Sequence, residues 1–191
     1  MQICFATNNE NKLKEIRHQL GGSFRILGLK EIGHFEELPE HQDTLEGNSL
    51  EKAQFIFNKY HINCFADDTG LLVKALKNEP GVNSARYAGP EKDSKANIAL
   101  LLRNLDPYED CSAKFVTVIT LILNGDVKQF TGEIKGTIIK NLKGDNGFGY
   151  DPVFIPEGYE KTFAELTLDE KNKVSHRARA FKQLIEYLKK N

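Results

Sequence analysis

The sequence predicts a mixed α/β fold, with alternating short strands and helices followed by a long β-hairpin. Three observations lead to this prediction. Apolar residues recur at helical spacing in four stretches, and short apolar runs typical of strands alternate with the first of these helical stretches. A tract rich in β-branched residues occupies the middle of the chain. The 191 residues are enough for a sizeable core, and we expect one domain over residues 1–191 that can fold as two lobes.

The first third of the chain predicts two strand–helix units. We expect a buried strand over residues 3–6 and then a helix, which ends at the Gly-Gly pair of residues 21–22. A second strand is expected over residues 25–29. Asn48 or Ser49 is predicted to cap the second helix. The apolar faces consist of Leu13, Ile16 and Leu20 in the first helix and of Leu50, Ala53, Phe57 and Tyr60 in the second.

The remaining elements follow from turn signals and apolar spacing. Short strands are predicted at residues 64–66 and 71–76, on either side of a turn at residues 67–70, and Asp93 is predicted to cap a third helix. Asn124-Gly125 predicts a hairpin turn. The other predicted features are the third helix's apolar face of Ile98, Leu101, Leu102 and Leu105, the hairpin strands 113–123 and 127–139, and a last helix from about Ser175.

Composition and charge argue against several classes of protein. With 26 Lys and Arg against 27 Asp and Glu, the formal net charge is −1, which disfavours general binding to nucleic acid. No run of about 18 apolar residues predicts a membrane span, and the first residues lack the features of a signal peptide. The three cysteines have no C-x-x-C spacing, so we expect neither a disulfide framework nor a zinc site, and a reducing, cytoplasmic location.

Charge is concentrated in two segments. Residues 31–51 contain seven acidic residues and no Lys or Arg, whereas residues 161–191 contain eight basic and four acidic residues. An acidic stretch can hold a divalent cation and a basic one can hold phosphate, as a magnesium–nucleotide enzyme requires. Two solvated faces would give the same pattern.

The first candidate for chemistry lies between the first strand and the first helix, in the segment Thr7-Asn8-Asn9-Glu10-Asn11-Lys12. Backbone N–H groups and the helix dipole favour an anion at such a place, and Lys12 can reach a phosphate as a compact charge. The chain contains no Walker A sequence. The alternative is that one of the polar residues only caps the helix, with Lys12 in solvent.

Two adjacent carboxylates, Asp67 and Asp68, lie between apolar runs and are followed by Thr69 and Gly70. Burying both carboxylates is costly unless a cation neutralises them, and oxygen ligands suit Mg²⁺. Thr69 can donate its hydroxyl to a phosphate oxygen. A plain turn would also accept these residues, but the apolar flanks favour a metal site.

Two later segments contain residues suited to a nucleoside. A Gly-rich segment places the rings of Phe148 and Tyr150 among three glycines, which favours close approach to a ligand and stacking on a base, unless the rings pack in the core. Ser175 begins the last helix, so His176 and Arg177 lie in its first turn. Cations there oppose the helix dipole, which indicates another use, as donors to a base carbonyl or a phosphate.

Together, these segments resemble the inosine/xanthosine triphosphate pyrophosphatase family, and the resemblance runs nearly from end to end. Any one of its motifs would be weak, but six in order are highly specific. The motifs are Thr7-x-Asn9-x-x-Lys12-x-x-Glu15, Thr44-Leu45-Glu46-Gly47-Asn48, Ala66-Asp67-Asp68-Thr69-Gly70-Leu71, Pro80-Gly81-Val82-Asn83-Ser84-Ala85-Arg86-Tyr87-Ala88-Gly89, Gly147-Phe148-Gly149-Tyr150-Asp151-Pro152 and Ser175-His176-Arg177.

The resemblance implies an elongated two-lobed α/β fold with a central mixed β-sheet flanked by helices, usually as a homodimer. It also implies Mg²⁺-dependent hydrolysis of dITP, ITP and XTP to the monophosphate and pyrophosphate, which cleanses the nucleotide pool. The partner is then a small nucleotide rather than nucleic acid or a membrane. Two alternatives are a pyrophosphatase for pyrimidine or modified triphosphates and a nucleotide-binding regulatory module without turnover, against which the paired Asp67 and Asp68 argue.

Carried over position by position, the resemblance implies roles for single residues. Asp68 would ligate Mg²⁺ and act as general base toward the attacking water, with Asp67 and Lys12 as further catalytic residues. Relatives commonly have two acids where this chain has Pro39-Glu40, so Glu40 is taken as the second metal ligand, with Glu46 as an alternative. The implied substrate-binding residues are Thr7, Asn8, Asn9, Glu10, Asn11 and Lys12 for the triphosphate, Thr69, then Phe148, Gly149, Tyr150 and Asp151 for the nucleoside, and Lys171, His176 and Arg177 for the rest of the pocket.

Overall fold

A computed structural model describes residues 2–20 and 24–190. Within these residues, the strands are β1 (Gln2–Phe5), β2 (Arg25–Leu27), β3 (Cys64–Val73), β4 (Pro80–Gly81), β5 (Ser112–Leu123), β6 (Asp126–Ile138) and β7 (Phe154–Pro156). The α-helices are α1 (Glu10–Leu20), α2 (Leu45–Tyr60), α3 (Ser94–Leu105), α4 (Leu168–Val174) and α5 (His176–Leu188). None of the described helices combines the length and the apolar character needed to cross a membrane.

The strands form one sheet in the order β2-β1-β3-β5-β6-β7, with β4 paired to β3. β1 runs parallel to β2 and β3, whereas β4 is antiparallel to β3 and β7 is antiparallel to β6. The predicted α/β class with a mixed sheet is therefore confirmed. Because Phe5 of β1 pairs with Phe65 of β3, the residues after β1 reach the same sheet edge as Asp67.

One compact unit comprises the described residues of Met1–Asp68, Thr117–Gly132 and Ala178–Asn191. Three buried rings pack at its centre: Phe5 stacks on Phe65 at 4.5 Å between ring centroids, and Phe181 meets both rings edge-on at 5.9 and 6.2 Å. These rings belong to β1, β3 and α5. Their contacts therefore hold the strands that lead to the candidate residues against the last helix.

A second compact unit comprises Thr69–Val116 and Glu133–Arg177. Its core contains the rings of Phe115, Phe154 and Phe163, with centroids 4.7 Å apart for the first pair and 5.2 Å apart for Phe154 and Phe163. Leu101 and Leu105 of α3 are buried in the same cluster. The second unit thus has a hydrophobic core of its own.

Several local predictions are confirmed. Asp93 caps α3, and its carboxylate accepts a hydrogen bond from the Lys95 N–H at 2.9 Å. Asn124 and Gly125 have φ angles of 54° and 94°, the left-handed values that a two-residue hairpin turn requires. The predicted helix end at residues 21–22 lies outside the described residues.

The predicted turn at residues 67–70 is wrong, because β3 runs without interruption from Cys64 to Val73. Asp67 and Asp68 each lie beside a lysine ammonium, which offsets the cost of placing two carboxylates in a buried strand. The apolar runs on either side of the acids therefore continue as a single strand.

Two helix starts also differ from the predictions. The N-cap of α2 is Thr44, whose Oγ1 accepts a backbone N–H at 3.0 Å, rather than Asn48 or Ser49, which lie inside the helix. Helix α4 was not predicted, although Thr167 and Glu170 form a capping box at its start. In both cases a Thr accepts the first backbone N–H groups.

Candidate active site

The first cluster of candidate residues lies in the first unit, around Asp67 and Asp68. Both are buried, with exposures of 1% and 8%. Lys12, in the first turn of α1, places its Nζ 2.9 Å from Asp67 Oδ1. Lys52 of α2 places its Nζ 3.4 Å from Asp68 Oδ1. Each acid therefore has a cation beside it, and the two cations come from different helices.

Two further side chains surround Asp68. Asn48 donates a hydrogen bond from Nδ2 to Asp68 Oδ2 at 3.1 Å. Glu40 Oε1 lies 2.6 Å from the same Lys52 Nζ that contacts Asp68. Glu46, the alternative metal ligand, is exposed in the first turn of α2. Lys52 therefore joins Asp68 and Glu40, the two carboxylates predicted to hold the metal.

The segment before α1 is a capped helix start. Asn9 Oδ1 accepts the backbone N–H groups of Asn11 and Lys12 at 3.0 and 3.3 Å, and Thr7 Oγ1 accepts the N–H of Asn9 at 3.2 Å. The capping alternative therefore holds for Asn9. The Lys12 side chain is nevertheless only 14% exposed, because it reaches Asp67 instead of solvent.

Two other predicted triphosphate ligands of this segment have partners in later segments of the chain. Asn8 donates a hydrogen bond from Nδ2 to the Glu36 carbonyl at 3.2 Å. Glu10 Oε1 lies 2.8 Å from Lys30 Nζ in a largely exposed ion pair. The Lys12 side chain, by contrast, reaches the buried acids, with its Nζ 2.9 Å from Asp67 Oδ1.

Burial raises the pKa of the Asp68 carboxyl above its ordinary value, while the charges of Lys52 and Lys12 oppose this rise and Glu40 adds to it. Burial on its own would lower the pKa of Lys52, but the neighbouring carboxylates outweigh burial and hold that pKa above its ordinary value. Lys52 therefore stays charged at neutral pH. A carboxylate with a raised pKa accepts a proton more readily, so Asp68 has the character of a general base.

The oxygen donors of this cluster fit a magnesium ion. In proteins, Mg²⁺ takes one or two carboxylates and completes its coordination with water and phosphate oxygens. Asp68 and Glu40 are two carboxylates that contact one ammonium group. Residues 2–20 and 24–190 contain no group of three or more His, Cys, Asp or Glu side chains that could enclose an ion. Two carboxylates leave room for phosphate oxygens to complete such a site.

The second cluster lies in the second unit, around the buried Asp151. Its Oδ2 accepts the N–H of Phe148 at 2.8 Å and lies 2.6 Å from Lys171 Nζ. The Lys171 ammonium is also 4.9 Å from the centre of the Phe148 ring. Asp151 therefore holds both the backbone of the Gly-rich segment and the lysine that contacts its ring.

Arg177 lies near the same ring, and Thr69 contacts Arg177. The guanidinium carbon of the buried Arg177 is 5.3 Å from the Phe148 ring centre, and its Nη2 is 3.4 Å from Thr69 Oγ1. The His176 ring stacks on Phe115 at 4.6 Å between centroids. The structure thus brings Arg177 to Phe148 and Thr69 to Arg177, and it places His176 against the core.

The two rings of the Gly-rich segment have different surroundings. Tyr150 is 4% exposed, packs in the core of the second unit and donates its hydroxyl to the Ser84 carbonyl at 2.9 Å. Phe148 is half-buried. Gly149 has a φ of 60° and open space where a Cβ would lie. The core-packing alternative therefore holds for Tyr150, whereas Phe148 lies among polar residues and stays a predicted stacking residue.

Lys52 was missed as a site residue, and Asn48 was predicted only as a helix cap and as part of a motif. The two are four positions apart on α2, so they share one face of the helix. Their exposures are 5% and 1%. The available signal was a lysine one turn after Asn48, next to the apolar position Ala53.

Nearly the whole chain matches known proteins, both by sequence and by structure. The sequence model of the Ham1 family matches residues 3–187. The dITP/XTP pyrophosphatase of Flavobacterium johnsoniae is 51% identical over 188 residues, which cover 98% of each chain. The Staphylococcus aureus Ham1 protein superposes with a TM-score of 0.89 at 35% identity, over 99% of this chain and 98% of that one. The Coxiella burnetii HAM1 protein superposes with a TM-score of 0.91 at 33% identity over 100% of both chains. The resemblance inferred from the six motifs is confirmed, and the chain belongs to the Ham1 family.

Proposed function

We propose that this chain is a Mg²⁺-dependent enzyme that cleaves the non-canonical purine nucleotides dITP, ITP and XTP to the monophosphate and pyrophosphate, and so cleanses the nucleotide pool. The observation that carries the proposal is the buried Asp67–Asp68 pair with a lysine beside each acid. Nucleotide binding alone needs no adjacent acids beside phosphate, whereas hydrolysis needs a base and a cation site. The name dITP/XTP pyrophosphatase of the 51% identical relative supports the same reaction.

The first cluster would act on the phosphates. Asp68 and Glu40 would hold Mg²⁺, which when bound offsets the negative charge of the phosphate oxygens. The Asp68 carboxylate accepts a proton from the attacking water, and Lys12 adds positive charge beside the triphosphate. The water oxygen bonds to phosphorus while the anhydride bond between the α and β phosphates breaks and pyrophosphate leaves. Lys52 keeps the Asp68 and Glu40 carboxylates in place through this step.

The second cluster would bind the nucleoside. The Phe148 ring offers a face for stacking on the purine, and this contact does not depend on which base is bound. Inosine and xanthosine carry a carbonyl at purine C6, where adenosine carries an amine. A donor from Arg177 aimed at that carbonyl would face an amine in ATP, a mismatch worth up to about 10⁴-fold in kcat/KM.

Product analysis tests the proposal. The purified protein is incubated with ITP, XTP, dITP, GTP, ATP, UTP and dCTP, each with Mg²⁺ and with chelator, and the products are separated by anion-exchange chromatography. We expect monophosphate and pyrophosphate from the first three nucleotides, little from ATP and the pyrimidines, and none with chelator. Orthophosphate as product, ATP cleaved as fast as ITP, or full turnover in chelator would contradict the proposal.

Removing the charge of Lys52 is expected to move the acid limb of the pH profile. Because Lys52 lowers the pKa of Asp68 against the effect of burial, Lys52→Met raises that pKa further. A base must be deprotonated to act, so kcat/KM for ITP falls at acidic pH and recovers as the pH rises.

The matched control for Lys52→Met is Lys59→Met, which removes a lysine from the same helix. Lys59 pairs at the surface with Glu36, at 3.0 Å. We expect its pH profile to follow the wild type. An acid limb at the same pH in Lys52→Met and wild type would show that Lys52 does not tune the base.

Truncating Arg177 is expected to change KM for ITP much more than KM for ATP. Arg177→Ala removes donors beside Thr69 and Phe148, so KM for ITP rises about tenfold or more, while KM for ATP changes little. Arg179→Ala, an exposed arginine of the same helix, serves as control. Equal changes in KM for ITP and ATP would remove base recognition from Arg177.

The resemblance also leads us to propose that the protein acts as a homodimer in the cytoplasm. Sedimentation velocity at micromolar concentration distinguishes a dimer from a monomer of 21.6 kDa. A sedimenting mass of one chain at that concentration would contradict the dimer. Recovery of the protein from the cytoplasmic fraction of lysed cells tests the location.

A further inference from the structure

We propose that Ser84, together with the Tyr150 hydroxyl bonded to it, is a positioning element that sets the spacing between Thr69 and the Phe148 segment. The inference rests on the proposed function, because it concerns how the nucleoside pocket of the second unit is held in shape. It gives a role to the Pro80–Gly89 motif, to which none of the steps above assigns one. Neither Ser84 nor Tyr150 needs to touch the substrate for this role.

Ser84 makes hydrogen bonds with both its hydroxyl and its carbonyl. Its Oγ accepts the backbone N–H of Leu71 at 2.8 Å and donates to the Gly81 carbonyl at 2.6 Å. Its carbonyl accepts the Tyr150 hydroxyl at 2.9 Å. Since Ser84 is 7% and Tyr150 4% exposed, little water competes for these bonds. One residue therefore joins strand β3 to the Gly-rich segment.

These bonds close a ring of contacts around the nucleoside residues. Leu71 lies two positions after Thr69 on β3, and Thr69 Oγ1 is 3.4 Å from Arg177 Nη2. The Arg177 guanidinium lies over the Phe148 ring, and Phe148 is two positions before Tyr150. These contacts thus form a closed path. It runs from Ser84 through Thr69 and Arg177 to the Gly-rich segment, and the Tyr150 hydroxyl leads back to Ser84.

The motif itself is fixed to helix α3. Asn97 donates from Nδ2 to the Ala85 carbonyl at 2.9 Å, and its Oδ1 accepts the Ala88 N–H at 2.7 Å. Asn97 is itself buried. The segment next to Ser84 is therefore hydrogen-bonded to a helix, so we expect a change in the bonds of Ser84 to displace the nucleoside residues.

The test uses two small deletions and one matched control. Tyr150→Phe removes the hydroxyl and keeps the ring in the core, and Ser84→Ala removes the acceptor for Leu71. The control Tyr87→Phe deletes a hydroxyl of the same unit that bonds to other residues: it donates to Glu79 at 3.2 Å and accepts from Asn104 at 2.9 Å. All are assayed on the triphosphate that the wild type cleaves fastest, with inorganic pyrophosphate as a competitive inhibitor that lacks the nucleoside.

We expect Tyr150→Phe and Ser84→Ala each to raise KM about five- to tenfold, the usual effect of one buried hydrogen bond, with kcat within about twofold. The inhibition constant of pyrophosphate stays at the wild-type value, and Tyr87→Phe behaves as the wild type. In the double variant, the rise in KM is smaller than the product of the single effects, because both changes open the same ring.

An unchanged KM in Tyr150→Phe overturns the proposal, even if Ser84→Ala folds poorly. So does a parallel weakening of pyrophosphate inhibition, which indicates a general loosening of the protein. The proposed function is judged separately, by which triphosphate the wild type prefers. The positioning role of Ser84 and Tyr150 is judged by the ratio of the variant's KM to the wild-type KM on that same substrate.

Discussion

The Asp68→Asn variant is expected to keep its fold and lose about 10³-fold or more in kcat with ITP. Asparagine has nearly the same shape as aspartate, and its amide oxygen can still accept the hydrogen bond from Asn48. It can neither take a proton from water nor offer a negative oxygen to Mg²⁺. General-base catalysis by itself contributes about 10²- to 10⁴-fold, and the metal contribution adds to this. The measurement is kcat at saturating ITP and Mg²⁺, with circular dichroism and thermal unfolding to establish the fold.

Asp126→Asn is the matched control for Asp68→Asn. It removes one carboxylate from an exposed position at the start of β6 and is expected to leave kcat and KM unchanged. Turnover close to wild type by a folded Asp68→Asn protein would refute the role of Asp68 as base and metal ligand.

The second large effect is expected from Gly147→Ala, with a fall of about 100-fold in kcat/KM for ITP. Gly147 has a φ of 78°, and a Cβ there would overlap the Asp151 Oδ2. That oxygen cannot move freely, because it accepts the Phe148 N–H and contacts the Lys171 ammonium. Displacing it shifts the Phe148 ring and the lysine together, and a displacement near 1 Å in a binding site costs about 10²-fold. Steady-state kinetics with ITP measures the change.

Gly158→Ala separates backbone strain from this overlap. Gly158 also has a left-handed backbone, with a φ of 84°, but no atom lies within 4 Å of the Cβ position. Both variants therefore lose about 1–2 kcal/mol of stability from the strained φ. Only Gly147→Ala is expected to lose activity, and equal kinetics in the two variants would mean that Asp151 does not position the nucleoside residues.

Local features of the fold followed from the sequence because they depend on neighbouring residues. Asp93 caps α3 through a backbone N–H two positions away, and Asn124-Gly125 forms its turn through its own φ angles. The motifs, which are short stretches of neighbouring residues, also identified the family. Lys12, Asp68 and Arg177 could be named as candidates for the same reason, since each lies inside such a motif.

The tertiary structure decided the partners of these residues. Lys12 contacts Asp67 across 55 positions and Lys52 contacts Asp68 across 16, and no local pattern specifies either pairing. These lysines explain why residues 67–70 form a buried strand instead of the predicted turn. Likewise, only tertiary packing gives the two rings of the Gly-rich segment different surroundings. Tyr150 is bonded to Ser84 in the core, whereas Phe148 is half-buried. The sequence by itself determined which residue types are present and the local elements that carry them. The cost of burying a charge or a hydroxyl depends on atoms brought together from distant segments, so only the tertiary structure determined what each side chain does.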